Sequence, residues 1–154
     1  MKKALLLVAA LLAAFVPLQP SAAGAPPRAR RAPALKAEIT AVVTVESPPR
    51  ATTHKNGRRF LEFAAMIRRY ELADLRGSER AERPRVLTTA PVRVVHDLTC
   101  GGEPVGLRMG DTVELKGEYV HPPSGKDLIH FTHPADGSCG GRGTHPDGYL
   151  RRAR

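Results

Sequence analysis

From Lys36 to Glu46 the chain alternates cleanly. Ala37, Ile39, Ala41, Val43 and Val45 fall on one side; Glu38, Thr40, Thr44 and Glu46, with Val42, fall on the other. A period of two carried by β-branched residues is the pattern of a strand with one buried face. Ser47-Pro48-Pro49 ends it. Lys55-Asn56-Gly57 is a turn cue before a second alternating run, Leu61, Phe63, Ala65 and Ile67, which reads as a hairpin strand to about Met66. A helix over Phe60 to Arg76 is the competing assignment. The charged stretch Arg68 to Pro91, broken by Gly77 and Pro84, reads as a long mobile insertion. Val92 to Leu98, Thr112 to Val120 and Asp127 to His133 complete the strand set, with Gly117 marking a bend. Thr99 to Arg108 and Pro134 to Thr144 read as Gly-rich loops. The expected class is all-β, a small OB-like antiparallel barrel of about five strands over residues 35–150. An open β-sandwich is the alternative.

The N-terminus has a different logic. Lys2 and Lys3 precede an apolar run from Ala4 to Val16, Pro17 and Pro20 break it, and Ser21-Ala22-Ala23 offers small residues for cleavage. This is the layout of a secretory signal, and the run is too short to span a bilayer. Residues 1–23 are therefore expected to be a signal peptide, 24–34 a disordered basic lead-in and 151–154 a basic tail, in a periplasmic or extracellular protein. The net charge of +9 sits mainly at the ends: Arg28, Arg30, Arg31, Arg151, Arg152 and Arg154 leave the span between close to balance. Such tails give weak polyanion contact or none. The expected oligomeric state is a monomer.

Cys100 and Cys139 lie in the Gly-rich loops. An oxidising compartment favours a disulfide between them, with free thiols or a metal pair as alternatives; the spacing is unlike a Cys-x-x-Cys knuckle.

Four motifs then stand in order: Val95-His96-Asp97-Leu98; Gly110-Asp111-Thr112-Val113 with Gly117-Glu118-Tyr119; Ile129-His130-Phe131-Thr132-His133; and His145-Pro146-Asp147-Gly148-Tyr149. Together they resemble the secreted bacterial family catalogued as domain of unknown function 3465, over roughly Val92 to Leu150. The chain departs from that family's Trp positions at Val120-His121 and at Phe131, and contains no Trp. The resemblance implies a compact extracytoplasmic β domain and brings no activity with it.

His96, His130, His133 and His145 all fall in these motifs, accompanied by Asp97, Asp136 and Asp147. Imidazole and carboxylate are zinc-ligand chemistry, and a His beside a carboxylate can act as a general base. His130 and His133, three apart on a strand, point to opposite faces unless the strand ends between them. Hydrogen-bonded loop pins, a divalent metal site such as zinc, and a hydrolytic site remain open for these residues. His54 and His121 sit in turns and read as bland. No nucleophile elbow, phosphate-cradling loop or dinucleotide fingerprint is present. Phe131 and Tyr149 are the aromatics not committed to a core, which is thin for nucleic-acid stacking. The expectation is a binding module, leaning away from an enzyme. The alternatives are a small metal-dependent hydrolase (a nuclease among them) and an envelope interaction protein.

Overall fold

The computed structural model describes residues 33–75, 82–104, 106–136, 139 and 145–153. The expected signal peptide and residues 24–32 of the lead-in lie outside the described residues, as do 137–138, 140–144 and 154. Seven strands and one helical turn follow in order: β1 (Leu35–Val45), β2 (Arg50–Thr53), β3 (Arg59–Ala73), β4 (Val92–Asp97), α1 (Leu98–Gly101), β5 (Thr112–His121), β6 (Leu128–His130) and β7 (Tyr149–Arg152).

Five of the strands close a barrel in the order β1-β3-β4-β6-β5, with β5 returning to β1 over Leu35↔His121 to Thr44↔Thr112. The expected small all-β barrel is therefore present. The expectation that it is antiparallel throughout needs correction, because β4 and β6 run parallel through Arg93↔Leu128 and Val94↔Ile129. Strand direction cannot alternate all the way round a ring of five, so at least one seam has to be parallel. β2 adds to the edge of β3, and β7 to the edge of β5.

The alternation in sequence becomes the inside of the barrel. Ala37, Ile39, Ala41, Val43 and Val45 are buried, as are Leu61, Phe63, Ala65, Ile67, Val92, Val94, Val113, Leu115, Tyr119 and Ile129. Val86 and Leu98 join this core from outside the barrel strands. At about 25 cal/mol per Å² of apolar surface removed from water, this continuous core is the main favourable contribution to folding.

β3 runs much further than expected, to Ala73 rather than to about Met66. The register against β1 jumps from Val42↔Arg69 to Val43↔Ile67, so Arg68 is an extra residue in a bulge. Its guanidinium reaches Thr44 Oγ1 at 2.9 Å. The bulge resets the alternation, and Tyr70 and Leu72 then pair with the inward positions Ala41 and Ile39. Part of the expected insertion is therefore strand. The tail expected at 151–154 also changes, because Arg151 and Arg152 belong to β7.

Gly117 lies where the free edge of β5 changes partner. Glu118 to Val120 pair with β6, and Val113 to Lys116 pair with β7. A Cβ on Gly117 would collide with the His130 carbonyl, so the bare backbone lets β6 leave at close approach.

Candidate functional site

One end of the barrel gathers the C-termini of β4 and β6, the turn α1, and the hairpin between β2 and β3. Asn56 and Gly57 build the hairpin turn: Gly57 takes φ 79°, its N–H donates to the His54 carbonyl at 2.9 Å, and Asn56 Oδ1 accepts from the Arg58 N–H at 3.1 Å. Residues 50–61 carry Arg50, Lys55, Arg58 and Arg59 and no carboxylate. Arg58 reaches out of the hairpin to pair with Asp97, and its Nη2 lies 3.5 Å from Cys100 Sγ. Arg50, Lys55 and Arg59 are exposed, and their side chains have no ion pair among the described residues. Phe60 packs on His54 with ring centroids 4.5 Å apart and lies 5.8 Å below the Arg58 guanidinium.

Most cations of the barrel wall and its flanks are paired, Arg69 on β3 being an exception. Lys36–Glu118, Arg68–Glu46, Arg83–Asp74, Arg93–Glu62, Lys116–Glu38, Arg151–Glu114 and Arg152–Asp111 pair at 2.6–3.5 Å. Arg151 and Arg152, expected to be free tail cations, are thus matched across β5 and the turn before it.

The histidine motifs converge only in part. His96 is buried inside the barrel, with Nδ1 2.8 Å from Thr132 Oγ1 and Nε2 3.0 Å from the Gly102 carbonyl. A carbonyl only accepts, so Nε2 carries the proton and Thr132 donates to Nδ1. Burial holds the His96 pKa below the usual imidazole value, against the Gly102 and Thr132 bonds. Asp97 caps α1, accepting from the Thr99 and Cys100 N–H groups at 2.9 and 3.3 Å.

β6 ends at His130, and Phe131 takes φ 53°, a left-handed conformation that a bulky side chain rarely adopts. That reversal separates the two histidines. His130 Nε2 meets Glu118 at 3.2 Å. His133 turns to the barrel end, buried, with Nδ1 donating to the Pro134 carbonyl at 3.0 Å. Burial lowers its pKa, and the neighbouring His145 adds to the effect. His145 stacks on Phe131 at 4.5 Å and nearly parallel, and meets His133 edge-on at 4.7 Å. Asp147 accepts from the Ala135 N–H at 3.0 Å.

Every histidine of the motifs is thus engaged in a hydrogen bond. Among the described residues no group of three or more His, Cys, Asp or Glu side chains is arranged to hold a metal ion. Cys100 and Cys139 form a disulfide, as expected, with Cα atoms 5.6 Å apart.

The opposite end holds a network that sequence reasoning passed over. Tyr119, fully buried, donates its hydroxyl to Asp127 Oδ2, and His121 Nδ1 lies 2.8 Å from Asp127 Oδ1. Burial and the Asp127 bond push the Tyr119 pKa up, so the hydroxyl stays a donor. His121, expected to be a bland turn residue, ends β5 instead. Its place opposite Leu35 at the end of β5, with Asp127 opening the next strand, was the available signal. The basic hairpin was equally readable as a run of twelve residues without a carboxylate.

Topology and site define an OB-like barrel with a charged hairpin at one end. Comparison of the chain with family models, curated proteins and solved structures yields no match.

Proposed function

We propose that this chain is an exported OB-like binding module whose ligand is an anionic polymer gripped at the β2–β3 hairpin. The observation that carries this reading is the grouping of unpaired cations: Arg50, Lys55 and Arg59 share one preorganised turn, whereas the other exposed cations without an ion pair among the described residues, Arg69, Arg85, Arg108 and Lys126, are spread over separate segments. Side chains alternate along a strand, so Arg50 and Arg59 leave the hairpin on opposite sides with Lys55 at the tip. A chain-like anion that wraps the tip meets all three. By analogy of fold, OB barrels use the face of their second and third strands and the loop before it for such ligands. Export is supported by the signal-like N-terminus and by the disulfide. No helix among the described residues is long and apolar enough to cross a membrane.

The test uses the mature chain and two probes, heparin and single-stranded DNA. Replacing Arg50, Lys55 and Arg59 together with Gln is expected to abolish most binding and to flatten the log–log salt dependence on DNA by about two, at about 0.7 per lost phosphate contact. Unchanged affinity in the triple variant, with loss only on removing residues 24–32, would return the activity to the lead-in.

A further inference from the structure

The Arg50 side of the hairpin carries more than a cation. Directly opposite residues of paired strands share a face, so Arg50 stands beside Glu62 on the outer surface of β2 and β3. Two residues further along β3, Ala64 lies opposite Arg93 and against Ser47. With Pro48 these residues line an open groove of about 430 Å³, within the roughly 300–1,000 Å³ of small-ligand sites.

The polar groups of the groove are ordered and of mixed kind. Thr52 Oγ1 donates to Glu62 Oε1 at 3.3 Å, and Arg93 Nε and Nη2 donate to Glu62 Oε2 at 3.2 and 2.6 Å. A carboxylate oxygen accepts twice, so Oε1 keeps an accepting position, and the Glu62 side chain is 22% exposed. Ser47 Oγ accepts the Ala64 N–H at 2.9 Å, which leaves the hydroxyl hydrogen to donate. Glu62 and Arg93 cancel, so the net charge of the groove is that of Arg50 alone.

This set separates two kinds of polyanion. Single-stranded nucleic acid is held by cations together with open aromatic faces. Here no ring is open for stacking: Phe63 is 3% exposed, and Phe60 already contacts His54 and the Arg58 guanidinium. An acidic sugar chain alternates its charges with hydroxyls, each of which both donates and accepts. We infer that the polymer gripped at the hairpin is an acidic polysaccharide, one sugar of which seats in this groove. Its anionic group pairs with Arg50, its hydroxyls donate to Glu62 and accept from Ser47, and its C–H face lies on Pro48 and Ala64. The inference rests on the proposed hairpin function and names the ligand class of that site.

The test titrates residues 24–154, at one salt concentration, with probes of similar charge. Oligogalacturonate has a carboxylate and free hydroxyls on every sugar; inorganic polyphosphate of equal length has charge without hydroxyls; a thymidine oligonucleotide is the nucleic-acid arm. The wild type is expected to bind oligogalacturonate about tenfold more tightly than polyphosphate, the worth of one hydrogen bond to a charged group. Glu62→Gln separates the alternatives by sign. It removes a negative charge, so binding governed by charge alone tightens for every probe. The acidic-sugar assignment predicts about tenfold weaker binding of oligogalacturonate beside tighter binding of polyphosphate. Oligogalacturonate binding that is unchanged or tightened in Glu62→Gln overturns the inference, as does wild-type preference for polyphosphate or the oligonucleotide. The variant with Arg50, Lys55 and Arg59 all changed to Gln reports on the hairpin itself. If it loses polyphosphate binding, a failed Glu62 result sinks the sugar assignment alone. Undiminished polyphosphate binding in that variant overturns the hairpin function and this inference with it.

Discussion

The two ends of this barrel are closed by different chemistry. At the β5 end a buried phenol, a buried carboxylate and one imidazole form a closed chain, Tyr119 to Asp127 to His121, and Lys36 caps Glu118 nearby. At the hairpin end the closure is made of separate clips: the α1 turn capped by Asp97, the Cys100–Cys139 disulfide, the His96 and His133 pins, and the Phe131–His145 stack. The first end is sealed from within, and the second is tied down from outside while keeping cations exposed. On the proposed function the hairpin keeps its charge uncancelled for an anionic ligand, and its order comes from the covalent and hydrogen-bonded clips beside it.

Removing the disulfide should break the hairpin end most severely. The bridge closes a loop of sequence separation 39, and its loss by Cys100→Ser with Cys139→Ser is expected to cost about 2–4 kcal/mol in denaturant unfolding. Tyr119→Phe tests the sealed end. It leaves Asp127 short of one donor in a buried site, for an expected loss of about 1–3 kcal/mol. If the ends are held independently the two losses add, and a deficit or excess beyond about 0.5 kcal/mol in the combined variant would show that they are coupled.

Acid sharpens the same comparison with a smaller effect. His96 and His133 have lowered pKa values in the fold, so below the unfolded value of about 6.5 the unfolded chain binds protons that the native state does not. Their contribution is fully present above about pH 6.5 and is lost as pH falls from there through the lowered native values. Stability measured by denaturant titration should therefore be level just above that point and decline below it. The decline should be reduced in His96→Gln measured relative to its own plateau, and a stability that rises on acidification would contradict the assignment.

How far this could be read from sequence depends on how each element is buried. β1 was legible because one whole face is inside, and the same holds for the first half of β3. The second half was hidden by its bulge: Arg68 and Arg69 in succession break the period of two, and the exposed Tyr70 and the half-buried Leu72 then look like isolated residues in a charged loop. β7 has four residues, two of them Arg, and owes its place to pairing with β5 rather than to any pattern of its own. The histidines were legible as a set but not as an arrangement. Whether His130 and His133 share a face turns on the positive φ at Phe131, a residue type that gives no warning of it. The disulfide followed from the expected oxidising compartment and the even count, and the charge asymmetry from summing the tails without asking which arginines find partners.

The central claim of the proposed function is that the grouped, exposed cations of the hairpin, and not the paired cations Arg151 and Arg152 of the wall, meet an anionic ligand. Amide chemical-shift mapping of residues 24–154, titrated with a short heparin oligosaccharide at low salt, tests it directly. The account predicts that the largest shifts fall within residues 50–61 and vanish together as salt is raised. Shifts concentrated on Glu114, Arg151 and Arg152, or around His121 and Asp127 at the sealed end, would contradict it.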